Sequence, residues 1–228
     1  MTICGTEWSS GEWGTLPQRY KAMTCIRKTT AFVVTKESPF HLLVFRHPLA
    51  GIQLPAGTVE KGEEPVDAAV REVREETGYT VCSDPVLLGA ATTNLGPECA
   101  VLLDDVDGGG HTLLRGHTVR VLRAESSSKL IPIRQEIFDY GTTPPTLLSA
   151  HRGEVRADKL AGMVARSFVL FIEETPTFER RTQRADGHEF EVFWTPFRRD
   201  ISLVEGQTNW LAEHFDVIEA HLSGATNR

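Results

Sequence analysis

Three glutamates, Glu72, Glu75 and Glu76, stand within five residues on a segment otherwise built to be a helix. Pro65 suits a first helical position and Gly78 suits the left-handed residue just past an end, so the spacing predicts a helix over Pro65–Thr77. At about 100° per residue, Val66, Ala69, Val70, Val73 and Thr77 form one stripe, the expected core face. The three glutamates fall together beside that stripe. Such crowding costs a few tenths of a kcal/mol per like-charged pair, roughly, and more where water is partly excluded. Arg71 can offset one of them through an i, i+4 pair with Glu75. The charge left over suits a hard divalent cation. All the donors are oxygen, with no Cys or His beside them, which favours Mg²⁺ or Mn²⁺ over zinc or copper. Mg²⁺ commonly shares its ligands with substrate phosphates, so the pattern points to a small phosphate-bearing substrate.

By itself, a REVREE run is a solvated, salt-bridged helix face. Its surroundings change that reading. Gly57, Glu63, Arg71, Glu72, Glu75, Glu76 and Gly78 stand in register, with Val73 and Tyr79 at two bulky positions. The stretch Gly57–Tyr79 resembles the Nudix box, G-x5-E-x7-R-E-U-x-E-E-x-G-U, where U is bulky and apolar. Every fixed position is matched, and Tyr79 replaces the usual aliphatic residue at the last one. The preceding Leu54-Pro55-Ala56, the stretch Asp186–Pro196 and the final helix over Asn209–Leu222 are also similar to that family.

The resemblance implies an α/β (α+β) fold, with a mixed β-sheet sandwiched between helices and the box as loop–helix–loop. It implies a divalent-metal-dependent hydrolase that cleaves a pyrophosphate linkage in a nucleotide or a nucleoside diphosphate joined to another moiety. Carried over by position, Glu72, Glu75 and Glu76 are the expected metal ligands and catalytic acids. The Gly57 carbonyl and Glu63 are further metal contacts, and Arg71 orients a glutamate. Such a cleavage needs an in-line water and neutralised phosphoryl oxygens. A carboxylate raised in pKa by its neighbours can take the proton. That base is Glu72 or Glu76, or an acid outside the box among Glu98, Asp104, Asp105, Glu154 and Asp158. Two rivals share the box: a nucleotide-sensing module that does not cut, and a hydrolase of a non-nucleotide diphosphate. Retention of every box glutamate favours the enzyme. Neither the proline that marks ADP-ribose hydrolases downstream of the box nor the tyrosine of dinucleoside polyphosphate hydrolases is in place. Asn94 and Leu95 stand near that point and Pro97 is the nearest proline, so no substrate is assigned.

The rest of the chain sets limits. With 24 Lys+Arg against 31 Asp+Glu, its formal charge is -7. That balance argues against stable nucleic-acid binding. No apolar run is long enough to span a membrane, and the start lacks a secretory signal pattern. Four cysteines without a C-x-x-C spacing suggest reduced thiols in a cytoplasm. No P-loop, G-x-G-x-x-G or G-x-S-x-G pattern is present.

Residues 1–18 read as an irregular arm that packs through Trp8 or Trp13. Residues 19–228 read as a single Nudix domain with an unrecognised β-rich insertion around 104–166, the expected source of substrate choice or of a homodimer contact. Thr29–Thr35 and His41–Arg46 predict a strand pair, Val81–Thr92 and Cys99–Leu103 further strands, and Asp104–Gly110 a hairpin turn. Arg46 and Trp194 are the candidate substrate contacts, for a phosphate and a base respectively. Arg115, Arg120 and Arg134 are further phosphate candidates, Phe197 is a further base candidate, and His188, at the mouth of a strand, is a further candidate substrate contact.

Overall fold

The structure is a computed structural model, and it describes residues 24–123, 129–174, 176–185, 187–204 and 206–224. The expected N-terminal arm, with Trp8 and Trp13, lies outside these residues. The chain divides into two compact units, one from the chain before Lys28 with Ala91–Ala165, the other from Lys28–Ala90 with Arg166–Arg228.

Most of the second unit is a sheet between two helices, and three of its strands, β1, β5 and β13, have an end in the first unit's residues. Its strands are β1 (Cys25–Thr35), β2 (His41–His47), β3 (Gly51–Gln53), β4 (Ala56–Thr58), β5 (Val86–Asn94), β13 (Met163–Glu173), β14 (Arg181–Ala185) and β15 (His188–Pro196). They run in the order β14-β15-β2-β1-β13-β5, with β3 on β2 and β4 on β1. Strand alternation decides which helix each residue meets. Ala31 and Val33 of β1 face α1 (Pro65–Thr77), packing with Ala69, Val73, Val169 and Phe171. Phe32 and Val34 face α2 (Gln207–Leu222), packing with Phe168, Leu170, Leu211 and Ile218. β1 is covered on both sides, which is why it reads as an unbroken apolar run rather than an alternation. The sandwich expected from the sequence is therefore present.

The first unit contains β6 (Cys99–Leu102), β7 (Val106–Asp107), β8 (Thr112–Leu113), β9 (Thr118–Val121), β10 (Leu130–Asp139), β11 (Thr146–Arg156) and β12 (Leu160–Ala161). Five of these form a sheet in the order β11-β10-β9-β6-β12, while β7 and β8 close the small hairpin expected near Asp104–Gly110. Its core gathers Leu102, Leu113, Val121, Ile131, Ile133 and Val155.

Three expectations need correction. Val70 does not join the core stripe: it is 38% exposed, whereas Ala68 and Glu72 are buried. The helix is rolled toward its acidic edge, because β4 takes up the carboxylates there. The strand expected to start at Val81 starts at Val86, since the backbone at Cys82 and Ser83 bonds to a buried Glu173 instead. Cys99 is disulfide-bonded, while Cys25 and Cys82 are free thiols, so the four-thiol expectation fails. Sequence spacing does not reveal which cysteines meet in space.

Removing the buried ring in Phe171→Ala should cost about 3–5 kcal/mol in urea unfolding. Val70→Ala, on the exposed side of α1, should stay within about 0.5 kcal/mol of the parent.

Candidate functional site

The site is assembled where β4 meets α1. Pro65 opens the helix, and Gly78 ends it in the left-handed region at φ 63, its amide donating to the Arg74 carbonyl. A left-handed residue with no Cβ avoids a steric penalty at this turn. It also leaves room for Gln183, whose Nε2 donates to the Glu75 carbonyl at 2.8 Å.

β4 lies antiparallel on β1, with Thr29 opposite Gly57 and Thr30 opposite Ala56. This register delivers Gly57 against the helix. A Cβ on Gly57 would lie 1.9 Å from Oε1 of Glu72, so only glycine admits that carboxylate. Glu72 is 8% exposed, a burial that a carboxylate tolerates only with partners. One residue earlier in β4, the Ala56 amide donates to Oε2 of Glu76 at 2.8 Å.

Arg71 is the local counterion. Its Nε donates to Glu63 at 3.0 Å and its Nη2 to Glu63 at 3.1 Å and to the Thr58 carbonyl at 3.0 Å. Its Nη1 donates to Glu72 at 2.9 Å and to Glu75 at 3.0 Å. Hydrogen bonding to Glu63, the charge of Glu72 and the hydrogen bonds to Glu72 and Glu75 raise the Arg71 pKa, so it remains a cation at every working pH. The same guanidinium holds the Glu63 carboxyl below its ordinary value. The planar five-donor fork of arginine is what allows one side chain to bridge three acids.

The expected cluster is thus brought together, but around Arg71. Among the described residues, no three His, Cys, Asp or Glu side chains are grouped so as to hold a metal ion as they stand. The physical reason is charge balance: crowded carboxylates take the nearest guanidinium, and Glu76 takes a backbone amide. Two features nonetheless suit a hard cation. The donors are all oxygen, and Thr29 Oγ1, on the residue paired with Gly57, is buried with no hydrogen-bond partner.

The outlying candidates lie elsewhere. Arg46 is exposed and paired with Glu191 at 3.3 Å. Trp194 donates from its indole to the Thr177 carbonyl at 2.9 Å and packs edge-on against Tyr79. Phe197 is stacked on Phe215 in the α2 core. His188 lies against His47. Asp104 is paired with Lys159 and Asp158 with Arg156, while Asp105 accepts the Arg115 amide. Arg120 and Arg134 share Glu136. All of the acids proposed outside the box belong to the first unit.

Glu173 was not among the candidates. Buried in β13, it accepts from Tyr79 Oη, the Cys82 and Ser83 amides and Ser83 Oγ, fastening the chain that leaves α1. Its place at the end of an apolar strand was the one available signal.

A family model described as the NUDIX domain matches residues 22–160, more than half of the chain, and the chain belongs to the Nudix family. Among curated proteins, it is 58% identical over 38 residues to the ADP-ribose pyrophosphatase of Bacillus subtilis (strain 168), covering 16% of this chain and 20% of that one. It is 42% identical over 59 residues to the ADP-sugar pyrophosphatase of Mus musculus, covering 21% and 27%. It is 44% identical over 62 residues to the ADP-ribose pyrophosphatase of Saccharomyces cerevisiae (strain ATCC 204508 / S288c), covering 22% and 26%. The chain therefore spans between 20% and 27% of the length of these relatives.

Burial, with the charge of Glu173 adding to it, pushes the Tyr79 hydroxyl from 10.0 up to about 12. The folded state then keeps a proton that the unfolded chain releases, so stability should fall as pH rises from about 10 to about 12. Thermal melts across that window should show a steeper decline for the parent than for Tyr79→Phe.

Proposed function

We propose that the chain hydrolyses a phosphoanhydride in a nucleoside diphosphate joined to a sugar-like moiety, with Mg²⁺ or Mn²⁺ as cofactor. The observation that carries this is the seating of Glu72 on Gly57, with Arg71 bridging the neighbouring acids. The names of the three relatives, which speak of ADP-ribose and ADP-sugar, favour that substrate class over triphosphates.

In this reading Glu72, Glu75 and Glu76 hold the metal, with the Gly57 carbonyl and Glu63 as further contacts. The metal supplies positive charge for the phosphoryl oxygens and an acidified water. The protein's own residues do the positioning. Gly57 keeps the Glu72 carboxylate close to the β4 backbone. The Ala56 amide orients Glu76. Arg71 keeps Glu63 ionised and sets the rotamers of Glu72 and Glu75. Glu72 or Glu76 is the proposed proton acceptor, and Arg46 and Trp194 remain proposed substrate contacts.

A screen with Mg²⁺ or Mn²⁺ over ADP-ribose, sugar nucleotides, nucleoside triphosphates, dinucleoside polyphosphates and an isoprenoid diphosphate checks the substrate class. Cleavage of ADP-ribose or an ADP-sugar is expected, and a chelator should abolish it. Glu72→Gln and Glu76→Gln should lose most turnover while the melting curve persists. Arg71→Lys, which keeps the charge but loses the fork, should lower kcat/KM on the order of 10–100-fold. Tight nucleotide binding without cleavage of any compound would favour the sensing module instead.

A further inference from the structure

Arg166, in β13 on the α2 side of the sheet, is a buried cation outside the box. It is 8% exposed. Its Nη1 donates to the Thr29 carbonyl at 3.2 Å and to Thr30 Oγ1 at 2.9 Å. Its guanidinium carbon lies 4.2 Å from the centre of the Trp210 ring. It meets no carboxylate among the described residues, and burial drives its pKa down to about 10. Burying a charge without a counterion is unfavourable, and an apolar residue of similar length would fill the same volume without that cost. Such a residue would not tie strands together. One nitrogen of Arg166 holds two successive residues of β1, while the indole fixes the plane of the fork.

Those two residues carry β4. Thr29 lies opposite Gly57, and Thr30 lies opposite Ala56. Gly57 is the seat of the Glu72 carboxylate, with no room for a Cβ. The Ala56 amide donates to Glu76. Just before β4, the Pro55 carbonyl accepts the Ala31 amide at 2.8 Å. Both acids therefore take their positions from β1 through a single layer of backbone pairing. A misplacement of about 1 Å at a reacting centre can cost on the order of 100-fold in rate.

We infer that Arg166 is a positioning residue for the box: by holding Thr29 and Thr30, it sets where β4 lies against α1 and so seats the Glu72 and Glu76 carboxylates. Its part in turnover rests on the hydrolase reading, whereas the seating of β4 does not.

Hydrogen exchange of the full chain reads that seating without catalysis. In Arg166→Met, the amides of Ala56–Thr58 should exchange faster than in the parent, while those of β15 stay as they are. Thr30→Val, which removes only the hydroxyl acceptor, should show the same change in milder form. The double variant should be no faster than Arg166→Met, and Arg166→Lys should restore part of the protection. Ile218→Val, a change in the α2 core, should lower Tm and leave the β4 amides at the parent rate. Unchanged exchange of β4 in both Arg166→Met and Thr30→Val, or an equal acceleration in Ile218→Val, overturns the inference. Should Arg166→Met not fold, Thr30→Val and Arg166→Lys carry the same readouts. On any compound the screen shows to be cleaved, Arg166→Met should lower kcat on the order of 10-fold with KM nearly unchanged. It should also weaken Mn²⁺ binding, read from the EPR signal of the free ion, and Arg166→Lys should recover part of both. Faster exchange with unchanged kcat and Mn²⁺ binding would overturn the positioning of the acids. If the parent cleaves nothing and binds no Mn²⁺, the hydrolase reading fails, and exchange alone decides whether Arg166 seats β4.

Discussion

The contact on which the site depends is the Arg71 guanidinium among Glu63, Glu72 and Glu75. Three of these charged groups sit at one edge of α1 and the fourth, Glu63, on the turn just before it, and the three acids repel. Without a bridging cation the acids would turn outward into water, where a solvated carboxylate is cheap. With it, they are drawn inward against the loop, and one of them becomes buried. The arrangement stores negative charge at a defined place instead of dispersing it over the surface.

That place is defined by backbone as much as by side chains. The pairing of β4 on β1 brings Gly57 under Glu72, and any larger residue there would collide with the carboxylate. A three-residue strand has little stability of its own. Its position comes from β1, which is buried on both faces and anchored in both helical cores. The far end of α1 is held in the same spirit. Gly78 turns the chain, Gln183 caps Glu75, and Glu173 gathers the next segment through its amides and hydroxyls. The helix is thereby fixed at both ends relative to the sheet, which suits a site whose acids must keep a set spacing.

The two faces of the sheet carry opposite electrostatic problems. On the α1 face, excess carboxylate is compensated by a single arginine. On the α2 face, Arg166 meets no carboxylate among the described residues, only neutral oxygens and an indole. Both are costly in a folded interior, and costs of that kind gather at functional sites.

The sequence by itself determined the helix over Pro65–Thr77, its two end signals, the identity of the acids and the strand pair that precedes it. Those features are local: periodicity, cap residues and spacing act within a few turns of chain. Family membership was legible for the same reason, since the box is one continuous stretch. The roll of α1 that exposes Val70 and buries Glu72 was decided by β4, a partner that no helical wheel contains. The long β11 was unreadable because most of its residues face solvent and its apolar residues do not alternate cleanly, so only pairing with β10 makes it a strand. Glu173, Thr29 and Arg166 acquire meaning solely from what surrounds them, because burial and hydrogen-bond satisfaction are properties of neighbours distant in the chain.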